Sequence, residues 1–449
     1  MFGIQENAFI KKTTLLSRKE KGQFFTPLPV VKLMQEWLKN QKNICDPACG
    51  TGILLRGLKD KKTITGIDND ATCLDYLEKN VQQILSDFMD VSLDLKFDGI
   101  ISNPPYIRHN LLSNKKQYSD FLLNHTGMKF SLNMNLYMYI LIKACMHLEC
   151  NGRAVFLIPL EWMNSNFGQK VKQYFQELHI LKHVIIFNND IFLDNLSTGC
   201  LLFIDTNEKH NIPFLHFVND IPLNLTEAFS SKKYKHVKKE TIFECKKWSC
   251  FNTDKNDTDG KRIADLITCH RGITTGCNGF FLLTENDRKK WNIPLDLVVP
   301  CIGKANYLNN NMSQNFFEEL KNNNKPCWLL NIRSECNHPY LSYGIKNNIM
   351  KKYILQQRKK WYFMEKIKIP DIFCSVFFRT KPKFIKNTLQ LYSLTCFHGI
   401  YVKDKKNIDT VINILNNHCD DSIENNKRIY GNQLFKMEPL DVINLKYKN

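Results

Sequence analysis

Four short apolar segments between residues 43 and 103 each end in an acidic or amide side chain. The side chains at their ends are Asp46, Asp68, Asp87 and Asn103. Apolar runs of this length that alternate with helical spacing are typical of an open α/β sheet, whose ligands bind at the carboxyl ends of its strands. One such carboxylate alone is more often a turn or cap residue. Four in register predict a ligand site along one edge of a doubly wound sheet.

A loop of small residues follows the first predicted strand, residues 43–46. The loop, residues 47–52, reads Pro-Ala-Cys-Gly-Thr-Gly, and a helix is expected to begin at Ile53. Strand, glycine loop and helix in this order open the nucleotide-binding half of doubly wound folds, because glycine lets a ligand approach the backbone closely. The lysine of a phosphate-binding loop is missing here. The acid that ends the second strand, Asp68, suits the two hydroxyls of a ribose.

Helical spacing recurs on both sides of this unit. Thr26 is predicted to cap a helix that starts at Pro27, and its exposed N–H groups would suit a carboxylate, although an ordinary cap is the alternative. Asn69 and Asp70 are expected to lead into a helix that reaches Val81. The third strand is expected over residues 84–88.

The fourth strand, residues 97–102, leads directly into Asn103-Pro104-Pro105-Tyr106. Neither proline has a backbone N–H, so both can only accept hydrogen bonds. The result is a stiff row of acceptors beside an aromatic ring, which suits a planar molecule that carries an amino group. A simple proline turn with a surface tyrosine is the alternative.

Further strands are predicted at residues 154–158, 184–187 and 200–204, the last two closing the sheet with an antiparallel edge. The loop between those two strands contains Phe192, which could be only a hydrophobic anchor. From about residue 225 the chain becomes lysine-rich and then irregular. The predicted organisation is an N-terminal arm at 1–21, a catalytic domain at 22–230, a basic linker at 231–247 and a second domain at 248–449.

The formal net charge of +18 points to an anionic partner. Basic and aromatic residues alternate in Arg358-Lys359-Lys360-Trp361-Tyr362 and again near Arg379 and Lys381, a mixture that suits phosphate contacts and base stacking. Lys246 and Lys247 belong to a basic rim. The 16 cysteines include no Cys-x-x-Cys pair, which favours reduced structural thiols over metal ligands. No apolar segment approaches the ~20 residues of a membrane span, so the cytoplasm is the expected location.

In chain order these motifs resemble the DNA N6-adenine methyltransferases of the gamma arrangement, in which the cofactor segment precedes the target-recognition domain. The matching segments are Phe24-Phe25-Thr26-Pro27, Asp46 to Gly52, Asp68, Asp87-Phe88 and Asn103-Pro104-Pro105-Tyr106. The resemblance extends strongly over residues 22 to about 205, and more loosely over 245–400 through Arg271-Gly272 and residues 275–278. The chain is similar to the TaqI methylase family of modification methylases in type II restriction-modification systems.

The resemblance implies a fold, a cofactor and a role for each matched residue. The fold would be a Rossmann-like α/β methyltransferase domain, with a mixed, mostly parallel sheet, followed by an α+β DNA target-recognition domain. The implied catalytic residues are Asn103, Pro104, Tyr106 and Phe192. The implied residues for S-adenosylmethionine are Thr26, Asp46, Pro47, Ala48, Cys49, Gly50, Asp68, Asn69, Asp87, Phe88 and Pro105. The implied DNA contacts are Arg271, Gly272, Lys246, Lys247, Arg379 and Lys381.

Asn69 departs from the hydrophobic residue that is commoner at its position, so its packing on the cofactor adenine is the weakest of these assignments. The implied reaction is site-specific methylation of adenine N6 in double-stranded DNA, by a monomer at the bacterial nucleoid, with a separate restriction endonuclease as partner. No metal is expected. The same tetrapeptide also serves enzymes that methylate RNA adenine or a protein glutamine, and a catalytically weak DNA-binding regulator is a further alternative.

Overall fold

The computed structural model describes residues 3–58, 60–189, 199–207, 212–252, 260–308, 312–364, 368–429 and 434–448. The chain divides into two units, the first ending at Asn252 and the second holding residues 260 to Arg428 and 434 onward. The predicted basic linker is not separate from the first unit. Its residues Lys235–Val237 form a strand of that unit's sheet, and Trp248, which follows it, is buried in the same unit's core. The boundary therefore lies later than the sequence suggested.

The first unit is built on one nine-stranded sheet with the strand order β3-β2-β1-β4-β5-β7-β6-β8-β9. Its strands are β1 (Asn43–Asp46), β2 (Thr63–Asp68), β3 (Gln82–Leu85), β4 (Phe97–Ser102), β5 (Leu148–Pro159), β6 (Leu181–Phe187), β7 (Gly199–Asp205), β8 (Phe214–Val218) and β9 (Lys235–Val237). β1 to β5 pair in parallel. β7 runs antiparallel to both β5 and β6.

The predicted antiparallel strand pair therefore exists, but it does not form the edge of the sheet. β7 is inserted between β5 and β6, and β8 and β9 extend the sheet beyond them. Strand residues alternate between two cores: Ile100 and Phe156 face one, and Ile101 and Val155 face the other. Burial on both faces explains why these strands are almost continuously apolar in sequence.

The first unit has eight helices among the described residues. They are α1 (Ile4–Lys12), α2 (Leu15–Glu20), α3 (Leu28–Trp37), α4 (Ala71–Leu74), α5 (Lys115–Thr126), α6 (Leu136–Met146), α7 (Asn166–Leu178) and α8 (Leu225–Ser230). α3 and α8 cover one face of the sheet, while α5, α6 and α7 cover the other. Every residue of α6 from Tyr137 to Cys145 is buried, as expected of a helix that is apolar all round. Helices on both faces of a mostly parallel sheet are the predicted Rossmann-like fold.

Three helix predictions were wrong in detail. α3 begins at Leu28, and its N-cap residue is Pro27, so no side chain caps the helix. The predicted cap, Thr26, instead accepts a hydrogen bond from the Asn103 side chain. Residues 53–57 form turns instead of a helix, because Gly52 and Gly57 take left-handed φ angles of +81° and +72° at the two ends of the segment. α4 ends at Leu74 and does not reach Val81, which contacts the core from a turn. The third strand, predicted over residues 84–88, ends at Leu85, before Asp87.

The predicted N-terminal arm is helical and is packed onto the first unit. Glu6 on α1 is fully buried, where it accepts hydrogen bonds from Thr51 Oγ1 at 2.7 Å and from Arg56 at 2.9 Å. Phe9 packs edge-on against Phe25, with ring centroids 5.9 Å apart. The arm thereby holds the end of the glycine loop, at Thr51, and the segment that follows it, at Arg56.

The second unit contains four small sheets. Its described strands are β10 (Lys261–Arg262), β11 (Ile267–Arg271), β12 (Leu282–Leu283), β13 (Val298–Ile302), β14 (Trp328–Leu330), β15 (Ile372–Ser375), β16 (Phe377–Phe378), β17 (Phe384–Lys386), β18 (Tyr392–Ser393), β19 (Phe397–Val402), β20 (Arg428–Ile429), β21 (Phe435–Lys436) and β22 (Lys446–Tyr447). They associate as β10-β22, β11-β19-β15-β17, β12-β14-β13-β18 and β16-β21-β20.

Eight helices surround these sheets in the described part of the second unit. They are α9 (Asn278–Phe281), α10 (Glu285–Lys290), α11 (Phe316–Asn322), α12 (Pro339–Lys346), α13 (Tyr353–Gln356), α14 (Ile408–Asn417), α15 (Asp420–Asn426) and α16 (Pro439–Ile443). This mixture is the α+β architecture that the sequence predicted. Within the described ranges, no helix has the length and apolar character needed to cross a bilayer, and no cluster of three or more candidate metal ligands occurs.

Candidate cofactor and target pocket

The carboxyl edge of the parallel strands opens into a cavity of about 470 Å³. Asp46, Asp68, Asp87 and Asn103, which end or follow β1, β2, β3 and β4, all line it. Neighbouring parallel strands end at the same edge of a sheet, so side chains that are far apart in sequence meet there. The structure brings together the four polar groups that the sequence singled out.

The glycine loop lies against the second strand. Gly50 has a φ of +50° and its N–H donates to Asp68 Oδ2 at 2.8 Å, while the other oxygen of Asp68 accepts from the Asp70 N–H at 2.9 Å. A side chain at Gly50 would meet no atom within 4 Å, so the backbone faces open space there. Burial raises the pKa of Asp68, and these two N–H groups oppose the rise. Its remaining lone pairs stay available to a donor.

Asp46 carries a buried acceptor with no partner in the described structure. The side chain is 1% exposed; its Oδ1 accepts from Ser102 Oγ at 3.0 Å and from the Ala48 N–H at 3.1 Å, while Oδ2 accepts from nothing. Burial raises the pKa of Asp46 to about 7, against the opposing effect of those two donors. Lys21, a cation of the same cavity, is paired with Asp70, so the open Oδ2 of an ionised Asp46 suits a positively charged group of a ligand.

Asp87 holds the turn after β3. Its Oδ1 accepts from the Met89 N–H at 2.9 Å and its Oδ2 from the Tyr118 hydroxyl at 2.8 Å. Burial, with help from this bond to Asp87, raises the pKa of Tyr118 to about 12, so the hydroxyl remains a donor. Phe88 lines the cavity but is only 3% exposed, because its ring packs at 5.0 Å from that of His147.

Asn103 is oriented by its own amide nitrogen. Nδ2 donates to the Phe24 carbonyl at 2.8 Å and to Thr26 Oγ1 at 3.0 Å, which accounts for both of its hydrogens. Its oxygen, Oδ1, is buried and has no partner among the described residues. Thr26 is 1% exposed and serves this amide, which is why it does not cap α3. The arrangement fixes which end of the amide is left to accept.

The remainder of the tetrapeptide is held by neighbouring rings and carbonyls. Pro104 is buried and Pro105 lines the cavity. The Tyr106 hydroxyl donates to the Leu157 carbonyl at 3.1 Å, and its ring lies 5.5 Å from that of Phe24 and 5.9 Å, edge-on, from that of Tyr137. Burial raises the pKa of Tyr106 well above its ordinary value, so the phenol stays neutral.

Several cavity residues were not anticipated from sequence. They belong to the N-terminal arm and the two residues after it, to the chain after Tyr106 and to α6: Phe9, Glu20, Lys21, Gln23, Ile107, Leu136 and Ile140. Lys21 forms an ion pair with Asp70 at 2.7 Å. No spacing or motif marked the arm as part of the pocket, since its mixed charge shows no period.

The cofactor-loop residues Pro47, Ala48 and Cys49 line the same cavity, as does Asn69. Phe192 lies outside the described residues.

The cations chosen from sequence have different surroundings. Arg271 forms an ion pair with Glu438 at 2.7 Å, and Lys381 forms one with Asp420. Gly272 packs against backbone, since a side chain there would lie 2.1 Å from the Leu394 carbonyl oxygen. The side chains of Arg379 and Lys246 are exposed, and Lys247 is half-buried.

An open sheet of this order, with a glycine loop and a row of acids at its carboxyl edge, defines the Rossmann-like class of cofactor-dependent enzymes. The model of the Eco57I restriction-modification methylase family matches residues 8–192. The model of the C-terminal domain of the type II methyltransferase M.Eco57I matches residues 238–448.

Individual relatives extend over nearly the whole chain. The type II methyltransferase M.AccI of Acinetobacter calcoaceticus is 30% identical in an alignment of 478 positions that covers 97% of this chain and 87% of that protein. M.XamI of Xanthomonas campestris pv. amaranthicola is 22% identical over 95% of this chain and 84% of its own. A solved structure of the type IIL enzyme MmeI in complex with DNA has the same fold, with a TM-score of 0.59 and 12% identity. That likeness covers 90% of this chain and 66% of the longer one.

The chain belongs to the type II methyltransferases of restriction-modification systems. This confirms the modification-methylase family predicted from the motifs, although it does not test the gamma class. It also confirms S-adenosylmethionine as the cofactor.

Proposed function

We propose that this protein transfers the methyl group of S-adenosylmethionine to N6 of an adenine that is rotated out of double-stranded DNA. The observation that carries the proposal is the Asn103 amide, whose donors are both occupied while its buried oxygen is unpartnered. A buried acceptor without a partner costs about 1–3 kcal/mol, so it is retained where a ligand supplies the donor. A planar amino group pointing into the pocket would do so.

The cavity residues fit the cofactor in charge and hydrogen-bonding capacity. Bound S-adenosylmethionine supplies an electrophilic methyl group on a sulfonium, so the donor needs little activation. Asp46 would bind the ammonium of the methionine part through its free Oδ2. Asp68 would accept from the ribose hydroxyls and Asp87 from the adenine amino group, with Phe88 and Pro105 beside that ring. Thr26, Gly50, Pro47, Ala48, Cys49 and Asn69 would complete the cofactor wall.

The acceptor amine is the harder half of the reaction, because its lone pair is delocalised into the adenine ring. Asn103 Oδ1 and the Pro104 carbonyl would accept hydrogen bonds from its two N–H groups. These bonds would stabilise the positive charge that develops on the nitrogen. These acceptors are placed before reaction, so they require no reorganisation. No side chain needs to form a covalent bond to the substrate.

An adenine in a duplex is out of reach until it leaves the base stack, at a cost of a few kcal/mol. Tyr106 would offset part of that cost by stacking, which is worth ~1–3 kcal/mol per base. Phe192 is proposed as the opposing ring. The C-terminal unit would recognise the DNA sequence, and a separate endonuclease would cleave unmethylated sites.

Sequencing DNA from cells that express the chain, with direct detection of N6-methyladenine, tests the proposal. Methylation of one sequence motif in expressing cells, and its absence in cells expressing Asn103→Ala, is the expected result. Methyl transfer from labelled cofactor to purified RNA or protein, with none to DNA, would instead favour the RNA or glutamine alternatives. Tight cofactor binding without transfer to any of the three would favour a DNA-binding regulator.

A further inference from the structure

One surface of the second unit is strongly basic, and Glu335 pairs with one of its lysines, Lys360, at 3.4 Å. It comprises residues 339–360, which include α12 and α13, and is called here the α12–α13 surface. Its cations are Lys346, Lys351, Lys352, Arg358, Lys359 and Lys360. No aspartate or glutamate occurs from residue 336 to residue 364. A run of one sign of charge on an ordered scaffold fits an anionic partner.

The same surface exposes large apolar side chains. Tyr353 is 77% exposed and Ile345 49%, and three others are more than one-third exposed: Tyr343, Met350 and Ile354. Single exposed apolar residues are ordinary, but a group of them within residues 343–354 marks an interaction surface. Cations mixed with exposed rings suit a nucleic acid, which presents phosphates next to sugars and base edges.

Its inner side is firmly packed. The ring of Tyr340 stacks on that of Phe280 at 4.5 Å, and its hydroxyl donates to the Phe280 carbonyl at 2.8 Å. Gly344 allows Phe280 and Trp361 to approach, since a side chain there would lie within 2.8 Å of both. A surface ordered before binding loses less conformational entropy when a partner docks.

The surface is also joined to the loop that resembled the recognition domain of the methyltransferase family. Arg358 donates to the carbonyls of Thr274 and Thr275, at 3.1 and 2.9 Å. Gly276, with a φ of +79°, lies where a side chain would be 3.1 Å from both Ile354 and Leu355. The motif in that loop therefore positions α13.

Arg358, Lys359 and Lys360 belong to a run that the sequence singled out, whereas Lys346, Lys351 and Lys352 do not. Arg271 and Lys381 are each paired with an acid. Lys346, Lys351, Lys352 and Lys359 form no ion pair with another described residue. Their charge is accordingly available to an outside anion.

We propose that the α12–α13 surface binds duplex DNA, with Lys351, Lys352 and Lys359 on phosphates and Tyr353 against the groove edge. The assignment rests on the proposed function, from which the DNA partner is taken. Each lysine that neutralises a phosphate releases counterions, which makes binding weaken as salt rises.

The test compares two adjacent lysine pairs in the full-length protein. Binding of a labelled duplex is followed by fluorescence anisotropy between about 50 and 200 mM salt. The double variant Lys351→Gln/Lys352→Gln should reduce the slope of log affinity against log salt by about 1.8, or about 0.9 per lost contact. The control, Lys289→Gln/Lys290→Gln on α10, removes the same charge and should leave the slope unchanged. The assignment is overturned if the slope falls equally in the two double variants, or if it falls in neither of them.

Tyr353 is tested at constant salt with two variants. Tyr353→Ala should weaken duplex binding about tenfold without changing the slope, whereas Tyr353→Phe should keep the affinity. Unchanged binding by Tyr353→Ala removes the ring from the surface. A wild-type protein that binds no duplex would refute the proposed function itself. Duplex binding that is the same in the wild type and the lysine variant refutes only this surface.

Discussion

Two buried oxygens in the pocket, Asp46 Oδ2 and Asn103 Oδ1, share a situation but differ in charge. They belong to residues at the ends of adjacent strands, and neither has a hydrogen-bond partner among the described residues. Asp46 is ionisable, with its pKa raised to about 7, whereas the Asn103 amide is neutral at every pH. The side of the pocket at Asp46, the proposed cofactor half, is thus suited to a cation and titrates. The target half is suited to a neutral amine and does not.

The largest expected effect is at the target half. Asn103→Ala should lower the rate of methyl transfer by ~10²–10³-fold or more, because it removes an acceptor aimed at developing charge. DNA and cofactor affinities should stay within a few-fold of the wild type. The measurement is single-turnover methyl transfer, with calorimetric cofactor titration as control. Full activity would remove Asn103 from the proposed mechanism.

The corresponding change in the cofactor half should act on binding. Asp46→Asn keeps the size of the side chain but removes its charge, so cofactor affinity should fall by roughly 1.5–3 kcal/mol, or about 10- to 150-fold. At saturating cofactor the rate should largely recover, unlike that of Asn103→Ala. An Asp46→Asn variant with normal cofactor affinity and a low rate of methyl transfer would show that Asp46 does not act through cofactor binding.

The comparison also predicts a pH dependence in one half only. Below its pKa of about 7, Asp46 is mostly protonated in the cofactor-free protein, so cofactor affinity should rise about fivefold between pH 6 and pH 7 and about twofold more by pH 8 before it levels off. Asp46→Asn should flatten this dependence in calorimetry at several pH values.

The sign for stability is opposite to that for binding. A raised carboxyl pKa means that the folded state binds more protons between the ordinary value of 3.8 and about 7. The contribution of Asp46 to the free energy of unfolding therefore falls as pH rises through that window. Thermal unfolding of wild type and Asp46→Asn without cofactor measures the difference.

The smallest expected effect concerns the orientation of Asn103. Thr26→Val removes the Oγ1 acceptor of its amide and should lower kcat about three- to tenfold, with KM for DNA unchanged, since one neutral hydrogen bond is worth about 1 kcal/mol. Thr26→Ser retains the hydroxyl and should restore the rate. Equal losses in both variants would indicate a packing effect of the lost methyl group.

The carboxyl edge was largely predictable because three of its four polar groups end, or directly follow, an apolar strand. Asp46, Asp68 and Asn103 are placed by backbone regularities that act within a few residues. The partners of those groups were not predictable. Thr26 and Asn103 are 77 positions apart in sequence, and only the packing of the chain that precedes α3 against the end of β4 joins them.

The second unit shows the same limit more strongly. Its strands are two to six residues long, too short to display a period, and they pair over long separations, as Lys261 does with Tyr447. Positive charge was visible in the sequence, but whether a cation is paired depends on tertiary neighbours. Arg271 and Lys381 were predicted to bind DNA phosphates, but in the structure each forms an ion pair, with Glu438 and Asp420 respectively.

The buried carboxylate of Glu6 gives the N-terminal helix a practical importance. Its bonds to Thr51 and Arg56 join α1 to the end of the cofactor loop and to the segment that follows it, and Phe9 on the same helix lines the cavity. Deleting this helix, or displacing it with a fused tag, would leave the Arg56 charge without its partner and would loosen the cofactor loop. Fusions for purification or for targeting the enzyme to chosen DNA sites are therefore better joined away from α1.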